Sequence, residues 1–298
     1  MSDKESKNKN LAWISASLGC ITAGIALAWA GAQGSQEIGS VPIFPILIAL
    51  AFIVNWVVFI PSYLNHTEKY FDLTGSLTYI TVTIVALVLS SELDARAVLS
   101  GILVIIWAGR LGSFLFKRIK KDGHDGRFDR MKNDFWEFFM TWTIQGLWVS
   151  LTAAAALITI TSAERSTLSF IGILGLVIWA LGFVIEVIAD KQKSSFKEDP
   201  ANKDQFINEG LWSWSRHPNY FGEITLWTGM AITSIPLLSY WRWVALISPV
   251  FVFILLTRVS GIPIQKKRAL KKWGDNKKFM KYMEQTPALL PLPPKRKK

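Results

Sequence analysis

Four long stretches of the chain carry no charged side chain, and they limit the possible folds more than any other feature. They cover residues 11–30, 41–60, 73–89 and 138–160. A helix needs about 20 apolar residues to cross the hydrocarbon of a bilayer. Only 18% of the 298 residues are charged, whereas a soluble domain has about 25%. We therefore predict an all-α polytopic membrane helix bundle that forms a single integral membrane domain over residues 1–298.

The apolar pattern predicts seven to eight transmembrane helices, with polar tails at residues 1–10 and 292–298. The last two apolar segments are short, so they form either two spans or a shallow hairpin. The single cysteine, Cys20, excludes an intramolecular disulfide. The three histidines are scattered along the chain, so we expect no metal site. The predicted spans are residues 11–30, 41–61, 73–90, 97–116, 138–161, 168–189, 223–239 and 243–258.

Basic residues are distributed unevenly among the connections, and this pattern predicts the orientation. The N-terminal tail, the fourth connection, the sixth connection and the C-terminal segment carry three, seven, five and thirteen of them; the other connections carry none or one. Because Lys and Arg in short loops resist translocation, both termini are predicted to be cytoplasmic. The net charge of +11 therefore indicates membrane topology and contact with lipids, not nucleic acid. No protein partner can be inferred.

Five polar side chains lie in or beside the predicted spans, near their predicted cytoplasmic ends: Asp72, Arg110, Gln145, Glu186 and Glu223. An ionisable group in a span costs about 2.5–3.5 kcal/mol, so it usually marks function. Taken one at a time, each is explained equally well by a hydrogen bond between helices. Their common depth favours a cofactor cavity that opens to the cytoplasm.

The sixth connection carries Lys191, Lys193, Lys197 and Arg216 near this predicted cavity. Such cations can neutralise a cofactor rich in phosphate, because charge-assisted hydrogen bonds to phosphate are strong. Simple retention on the cytoplasmic side explains the same residues. The chain has no glycine-rich dinucleotide fingerprint after a strand, so a Rossmann-type site is not supported.

The most specific motif is SRHPNYFGE at 215–223. It resembles the signature shared by steroid 5α-reductases, sterol C14 and Δ7 reductases, and isoprenylcysteine methyltransferases. The resemblance extends over about residues 65–291 and includes YFDLTGSLTY (70–79), WAGRLGSFLFKR (107–118) and GFVIEVIADKQKSSF (182–196). These segments are similar to a bacterial branch of the steroid 5α-reductase family. The resemblance implies an enzyme of the bacterial inner membrane.

The resemblance also implies a cofactor, a reaction and a set of site residues. The reaction is hydride transfer from NADPH to a conjugated C=C bond of a lipophilic, enone-like substrate, with an acid that polarises the carbonyl. Asp72 and Tyr79 lie seven residues apart, hence on one face of a helix, and are the candidate catalytic pair. The candidate cofactor-binding residues are Arg110, Arg118, Glu186, Asp190, Arg216, His217, Asn219, Tyr220 and Glu223, and the candidate substrate-binding residues are Trp107, Gln145 and Trp148.

Two other functions remain open. The first is an S-adenosylmethionine-dependent methyltransferase of the isoprenylcysteine type, which shares the motif. Those enzymes are expected to have a glutamate pair after the final span, where this chain has Gln265 and Lys266. The second is a membrane lipid-binding or transport protein without catalysis. The substrate cannot be identified from the sequence.

Overall fold

The computed structural model describes residues 3–122, 125–126 and 128–293, without the side chains of residues 3–6, 118, 119, 121 and 122. Ten α-helices account for most of the described residues, and one pair of two-residue antiparallel strands, β1 (Glu37–Ile38) and β2 (Val41–Pro42), precedes the second helix. The helices are α1 (Asp3–Ala32), α2 (Ile43–Leu64), α3 (Phe71–Leu89), α4 (Ala95–Asp122), α5 (Phe135–Thr161), α6 (Phe170–Glu198), α7 (Pro218–Ser234), α8 (Ile247–Ile254), α9 (Ile262–Trp273) and α10 (Lys277–Gln285).

Seven helical segments within the described ranges are long and apolar enough to cross a membrane, which confirms the predicted polytopic helical bundle. The predicted span 223–239 corresponds to α7, whose 17 residues lie at the lower end of the range of about 17–25 residues that cross a bilayer. A turn of π-helix, Leu255–Val259, follows α8 in the last segment. The seven segments are Lys7–Ala32, Ile43–Leu64, Phe71–Leu89, Ala95–Lys117, Phe135–Thr161, Phe170–Glu198 and Tyr240–Trp273.

The chain divides into two compact units. The first unit comprises Met1–Gly172 and Ser234–Ile247. The second unit comprises Ile173–Thr233 and Ser248–Lys298. The single domain expected from the sequence stays a prediction, and so do the orientation of the termini and the membrane in which the protein resides.

Helix α5 forms the centre of the first unit, where it packs against α1, α2, α3 and α4. Its four alanines at 153–156 are fully buried. At Gly146, a Cβ atom would lie 3.1 Å from the Cα atom of Phe52 on α2. Small residues therefore let neighbouring helices approach α5 closely, which is the usual packing mode where lipid supplies no hydrophobic driving force.

Two buried carboxylates anchor the basic fourth connection to the first unit. Glu137, with a side chain 2% exposed, pairs with Lys9 at 3.1 Å and with Arg130 at 2.5 Å. Glu68 accepts hydrogen bonds from Lys132 and from the backbone N–H of Asp125, both at 3.0 Å. Burial alone would raise the pKa of Glu68, but these two bonds hold it below its usual range. Part of the basic charge thus has a structural role beyond topology.

At the opposite ends of helices α1 to α5, Gln36 joins three connections of the first unit. Its Nε2 donates to the carbonyls of Glu92 and Ser162, each at 3.0 Å. Its Oε1 accepts from the Ser91 hydroxyl and the Glu92 N–H, each at 3.1 Å. The neighbouring Arg242 is 1% exposed and donates to the Ser162 hydroxyl at 2.6 Å. Arg242 therefore holds the connections at this end of the helices together.

Two pairs of glycines bring α6 and α7 into backbone contact in the second unit. Gly175 faces Gly229, and Gly182 faces Gly222. A Cβ atom at Gly182 would lie 2.4 Å from the Leu226 nitrogen and 2.7 Å from the Gly222 carbonyl oxygen. Both obstructing atoms belong to the backbone, so no rotamer change can make room. In each helix the two glycines are seven residues apart, which places them on one face.

We expect Gly182→Ala to destabilise the protein by about 1–3 kcal/mol, because an added methyl group would push the two backbones apart. Gly109→Ala on α4 is the matched control, since nothing lies within 4 Å of its Cβ position. That change should be neutral or slightly stabilising, because alanine favours the helix over glycine by about 1 kcal/mol. Thermal unfolding in detergent measures both, and equal melting temperatures would contradict the close contact.

Candidate functional site

A cavity of about 270 Å³ lies beside the 215–223 motif in the second unit. Four cationic side chains line it: Lys193, Lys197, Arg216 and Lys266. No carboxylate is among the described residues that form its walls. The remaining walls are largely aromatic, with Phe196, Phe206, Trp212, Trp273, Phe279 and Tyr282. The cavity is therefore suited to a ligand that combines negative charge with a flat ring.

The start of the motif is held in place by the end of the chain. The Ser215 hydroxyl donates to the carbonyl of Leu289 at 2.7 Å and accepts from the N–H of His217 at 3.1 Å. The Arg216 N–H donates to the carbonyl of Pro287 at 2.9 Å. Pro218 then opens α7, at the position where a missing N–H costs nothing. These bonds fix the directions in which Arg216 and His217 leave the backbone.

Arg216 and His217 each have a buried side-chain nitrogen without a hydrogen-bond partner among the described residues. The atoms are Nε of Arg216 and Nδ1 of His217. Leaving a buried polar group unsatisfied costs about 1–3 kcal/mol, so such groups indicate a missing partner. Both side chains line the cavity. A ligand with acceptor and donor atoms would satisfy them.

His217 is 8% exposed and stacks on the ring of Tyr220, with the centroids 5.3 Å apart. Burial, followed by the charges of Lys193 and Arg216, lowers the pKa of His217 to about 3. The imidazole is therefore neutral near pH 7, and it offers a hydrogen bond to a ligand but no charge. The positive charge of the cavity comes from its lysines and its arginine.

A chain of polar contacts links the motif to α6 through α9. Gln265 Nε2 donates to the Tyr220 hydroxyl at 2.6 Å, and its Oε1 accepts from Lys193 Nζ at 3.4 Å. The Lys193 ammonium also lies 4.7 Å from the centroid of the Trp212 ring, a cation–π contact. Gln265 thus positions the Lys193 ammonium without neutralising its charge. A carboxylate at this position would neutralise it.

Sequence reasoning named Gln265 and Lys266 only as the position of the methyltransferase glutamate pair, and it identified neither them nor the aromatic wall as parts of a cavity. One signal could have indicated them. Ile262, Gln265, Lys266, Ala269 and Trp273 recur at helical spacing, and all five line the cavity from one face of α9. The aromatic residues of α10 and of the 206–212 connection have no such signal, because only the tertiary fold brings them to this wall.

In the first unit, the candidate pair Asp72 and Tyr79 lies on α3. Tyr79 is 5% exposed and packs edge-to-face on Trp107, with ring centroids 5.1 Å apart. Gln145 donates to the carbonyl of Phe71 at 3.0 Å, which joins α5 to α3. In the structure, Tyr79 and Trp107 thus pack against each other, and Gln145 joins two helices.

The remaining candidates of the first unit are Arg110 and Arg118 on α4 and Trp148 on α5. Arg110 and Trp148 are half-buried. Arg118 lies in α4, and its side chain is outside the described part of the structure. The roles expected for these residues stay predictions.

In the second unit, two of the candidate cofactor-binding residues, Arg216 and His217, line the cavity. Tyr220 is joined to it through Gln265. The other four are not among the described residues of its walls: Glu186 and Asp190 on α6, and Asn219 and Glu223 in the first turns of α7. Glu186 is 3% exposed. The described residues contain no group of three or more His, Cys, Asp or Glu side chains placed to hold a metal ion.

Comparison with known proteins identifies the family. Residues 58–286 match the family described as protein of unknown function, DUF1295. The chain belongs to this steroid 5-alpha-reductase-like family. The resemblance inferred from the motifs is thereby confirmed, and the apolar helices agree with an integral membrane protein.

Two curated relatives carry informative names. Steroid 5-alpha-reductase DET2 of Gossypium hirsutum is 31% identical over 117 residues, which cover 39% of this chain and 40% of that protein. Probable O-methyltransferase ustE of Ustilaginoidea virens is 39% identical over 61 residues, which cover 20% of this chain and 21% of that protein. The chain thus spans less than half the length of the curated relatives that it matches. No solved structure matches it.

The buried neutral His217 predicts a pH dependence of stability. Its pKa lies below the ordinary value of 6.5, so between about pH 6.5 and 3 the unfolded chain binds a proton that the folded protein does not. Its contribution to stability is full above about pH 6.5 and is lost as the pH falls, by up to about 1.4 kcal/mol per pH unit.

We therefore expect unfolding free energies measured in detergent between about pH 7.5 and pH 5 to fall less steeply for His217→Gln than for the wild type. The exposed His66 provides the control, and His66→Gln should keep the wild-type slope. An unchanged slope in His217→Gln would show that His217 binds protons equally in the folded and the unfolded protein, and so that burial does not lower its pKa.

Proposed function

We propose that the protein is a membrane-embedded, NADPH-dependent reductase that transfers a hydride to a conjugated C=C bond of a lipophilic, enone-like substrate. The observation that carries the proposal is the cavity beside the 215–223 motif, with four cations and no carboxylate among its described lining residues. Membership of the steroid 5-alpha-reductase-like family and the relative named steroid 5-alpha-reductase support a reductase acting on a lipophilic substrate.

The residues of the cavity fit part of such a cofactor. Lys193, Lys197, Arg216 and Lys266 would bind its phosphate oxygens through charge-assisted hydrogen bonds. The aromatic wall would pack against a flat base. The volume of about 270 Å³ lies just below the about 300–1,000 Å³ typical of small-molecule sites. We therefore assign it to a phosphate-bearing part of the dinucleotide, not to the whole molecule.

When bound, NADPH would supply the hydride. The residues of the chain would bind it, orient it and donate a hydrogen bond to the carbonyl of the substrate, where negative charge develops. We propose Asp72 and Tyr79 on α3 as the catalytic pair, with the Tyr79 hydroxyl, which is fixed against Trp107, as the donor. Trp107, Gln145 and Trp148 would contact the lipophilic substrate.

The proposed cofactor is also consistent with the proposed topology. NADPH is a soluble, charged molecule, so its site must open to an aqueous compartment. The thirteen basic residues of the C-terminal segment favour the cytoplasmic side. We propose that α7 crosses the membrane as a short eighth span, so that both termini are cytoplasmic, and that the protein resides in a bacterial inner membrane.

A second candidate function is S-adenosylmethionine-dependent methyl transfer, which the relative named probable O-methyltransferase favours. The charge of the cavity disfavours it, because the sulfonium of that cofactor is a cation and like charges repel. A lipid-binding or transport protein without catalysis is a third candidate, and it requires no dinucleotide.

Titration of detergent-purified protein with NADPH, NADH and S-adenosylmethionine tests the proposal. We expect NADPH to bind, and Arg216→Ala to weaken that binding at least tenfold, equivalent to about 1.4 kcal/mol. Arg268→Ala is the matched control, because Arg268 is exposed on α9 and does not line the cavity. Selective binding of S-adenosylmethionine would instead establish the methyltransferase, and the binding of neither cofactor would exclude both enzymes.

A second variant tests the charge of the cavity at nearly constant shape. Gln265→Glu introduces a carboxylate that would form an ion pair with Lys193 and repel phosphate, so we expect NADPH affinity to fall at least tenfold. Gln205→Glu adds the same charge at an exposed lining residue and should have a much smaller effect. Equal loss in the two variants would show that total charge, not the position of Gln265, determines binding.

A further inference from the structure

Helix α9 has a second face that the cavity does not use. One face, with Ile262, Gln265, Ala269 and Trp273, lines the cavity. The opposite face carries cations that are exposed and absent from the lining: Lys267, Arg268 and Lys271. Helix α10 continues this basic character with Lys277, Lys278 and Lys281, which are also exposed. We call these six residues the basic surface.

Apolar side chains are interspersed with the basic surface. Ile264 and Leu270 on α9 are each 37% exposed, and Met280 on α10 is 38% exposed. Exposed apolar residues among lysines are typical of helices that lie at a membrane interface, where the apolar groups enter the acyl region and the cations remain among the headgroups. A surface that binds only a soluble acidic molecule has no need of the apolar residues.

The position of α9 along the chain supports the same partner. The basic surface begins within the apolar segment Tyr240–Trp273 that is long enough to cross a membrane. A helix that is part of the same apolar segment as a span stays close to the lipid headgroups. Clusters of four to eight Lys or Arg residues next to a span are typical of segments that bind anionic lipids.

We propose that the basic surface binds anionic phospholipid headgroups, and that this contact holds α9 in the position that forms one wall of the cavity. The effect on the cavity is mechanical, not electrostatic. A helix with its side chains is about 10–12 Å across, so the lipid phosphates would lie about that far from Lys193 and Arg216, on the other side of α9. The helix itself forms a wall of the cavity, so its position acts on a bound ligand directly. The part of this proposal that concerns NADPH affinity rests on the proposed function.

Reconstitution of the full chain into nanodiscs of phosphatidylcholine alone, or of phosphatidylcholine mixed with phosphatidylglycerol, tests the proposal. The test variant is Lys267→Gln/Arg268→Gln/Lys271→Gln. The control variant, Lys69→Gln/Lys117→Gln/Lys120→Gln, removes three exposed cations of the first unit. Equal melting temperatures of all three proteins in phosphatidylcholine would show that the substitutions leave the fold intact.

The melting temperature is the first readout, and it requires no cofactor. We expect phosphatidylglycerol to raise it by several degrees for the wild type and the control, and by less than half as much for the test variant. An equal rise in all three proteins would overturn the proposal. So would tight binding of a soluble polyanion such as heparin to the wild type in phosphatidylcholine discs, because the surface would then serve a soluble partner.

The second readout is NADPH affinity in the same discs. We expect phosphatidylglycerol to tighten NADPH binding at least threefold for the wild type and the control, but not for the test variant. Unchanged affinity in all discs would overturn the mechanical coupling to the cavity. If NADPH binds in none of the discs while the rise in melting temperature persists, the proposed function fails and the lipid-binding surface stands.

Discussion

The backbone contact between α6 and α7 is the constraint on which the second unit depends. Gly175 and Gly182 on α6 meet the backbone of α7 at Gly229 and Gly222. This contact fixes the end of α6 that carries Lys193 relative to the start of α7, just after Arg216. Cations far apart in the chain thereby line one cavity.

Basic side chains that look equivalent in the sequence have different roles in the structure. In the first unit, Arg130 and Lys132 form ion pairs with Glu137 and Glu68. In the second unit, Lys193, Lys197, Arg216 and Lys266 line a cavity without a carboxylate among its described residues. Ion pairs give the first group a structural role, whereas the second group surrounds a cavity that is suited to a ligand with negative charge. Counting basic residues along the chain cannot separate the two groups, because the difference lies in which side chains meet.

The candidate site was predicted in part. The motif predicted Arg216 and His217 as cofactor-binding residues, since its resemblance to a known signature is local and needs no tertiary information. The structure places both in the cavity wall, and their role stays a prediction. Glu186 and Asn219 were predicted from depth or from the motif, and they are not among the described lining residues. Gln265 was named only as the residue at the methyltransferase glutamate position. The helical spacing of α9 indicates its face, but nothing in the sequence indicates that its amide bonds a tyrosine on another helix.

By itself, the sequence determined that lipid surrounds most of the chain and that the fold is helical. Long segments without charge can satisfy their backbone groups in lipid only as helices, and seven described segments do so. It also determined the family, through one nine-residue motif and the segments around it. Only the tertiary structure decided which face of α9 lines the cavity, which lysines line its walls, and where two helices touch at their glycines. Each of these depends on distances between residues far apart in the chain, and helical periodicity carries no information about such distances.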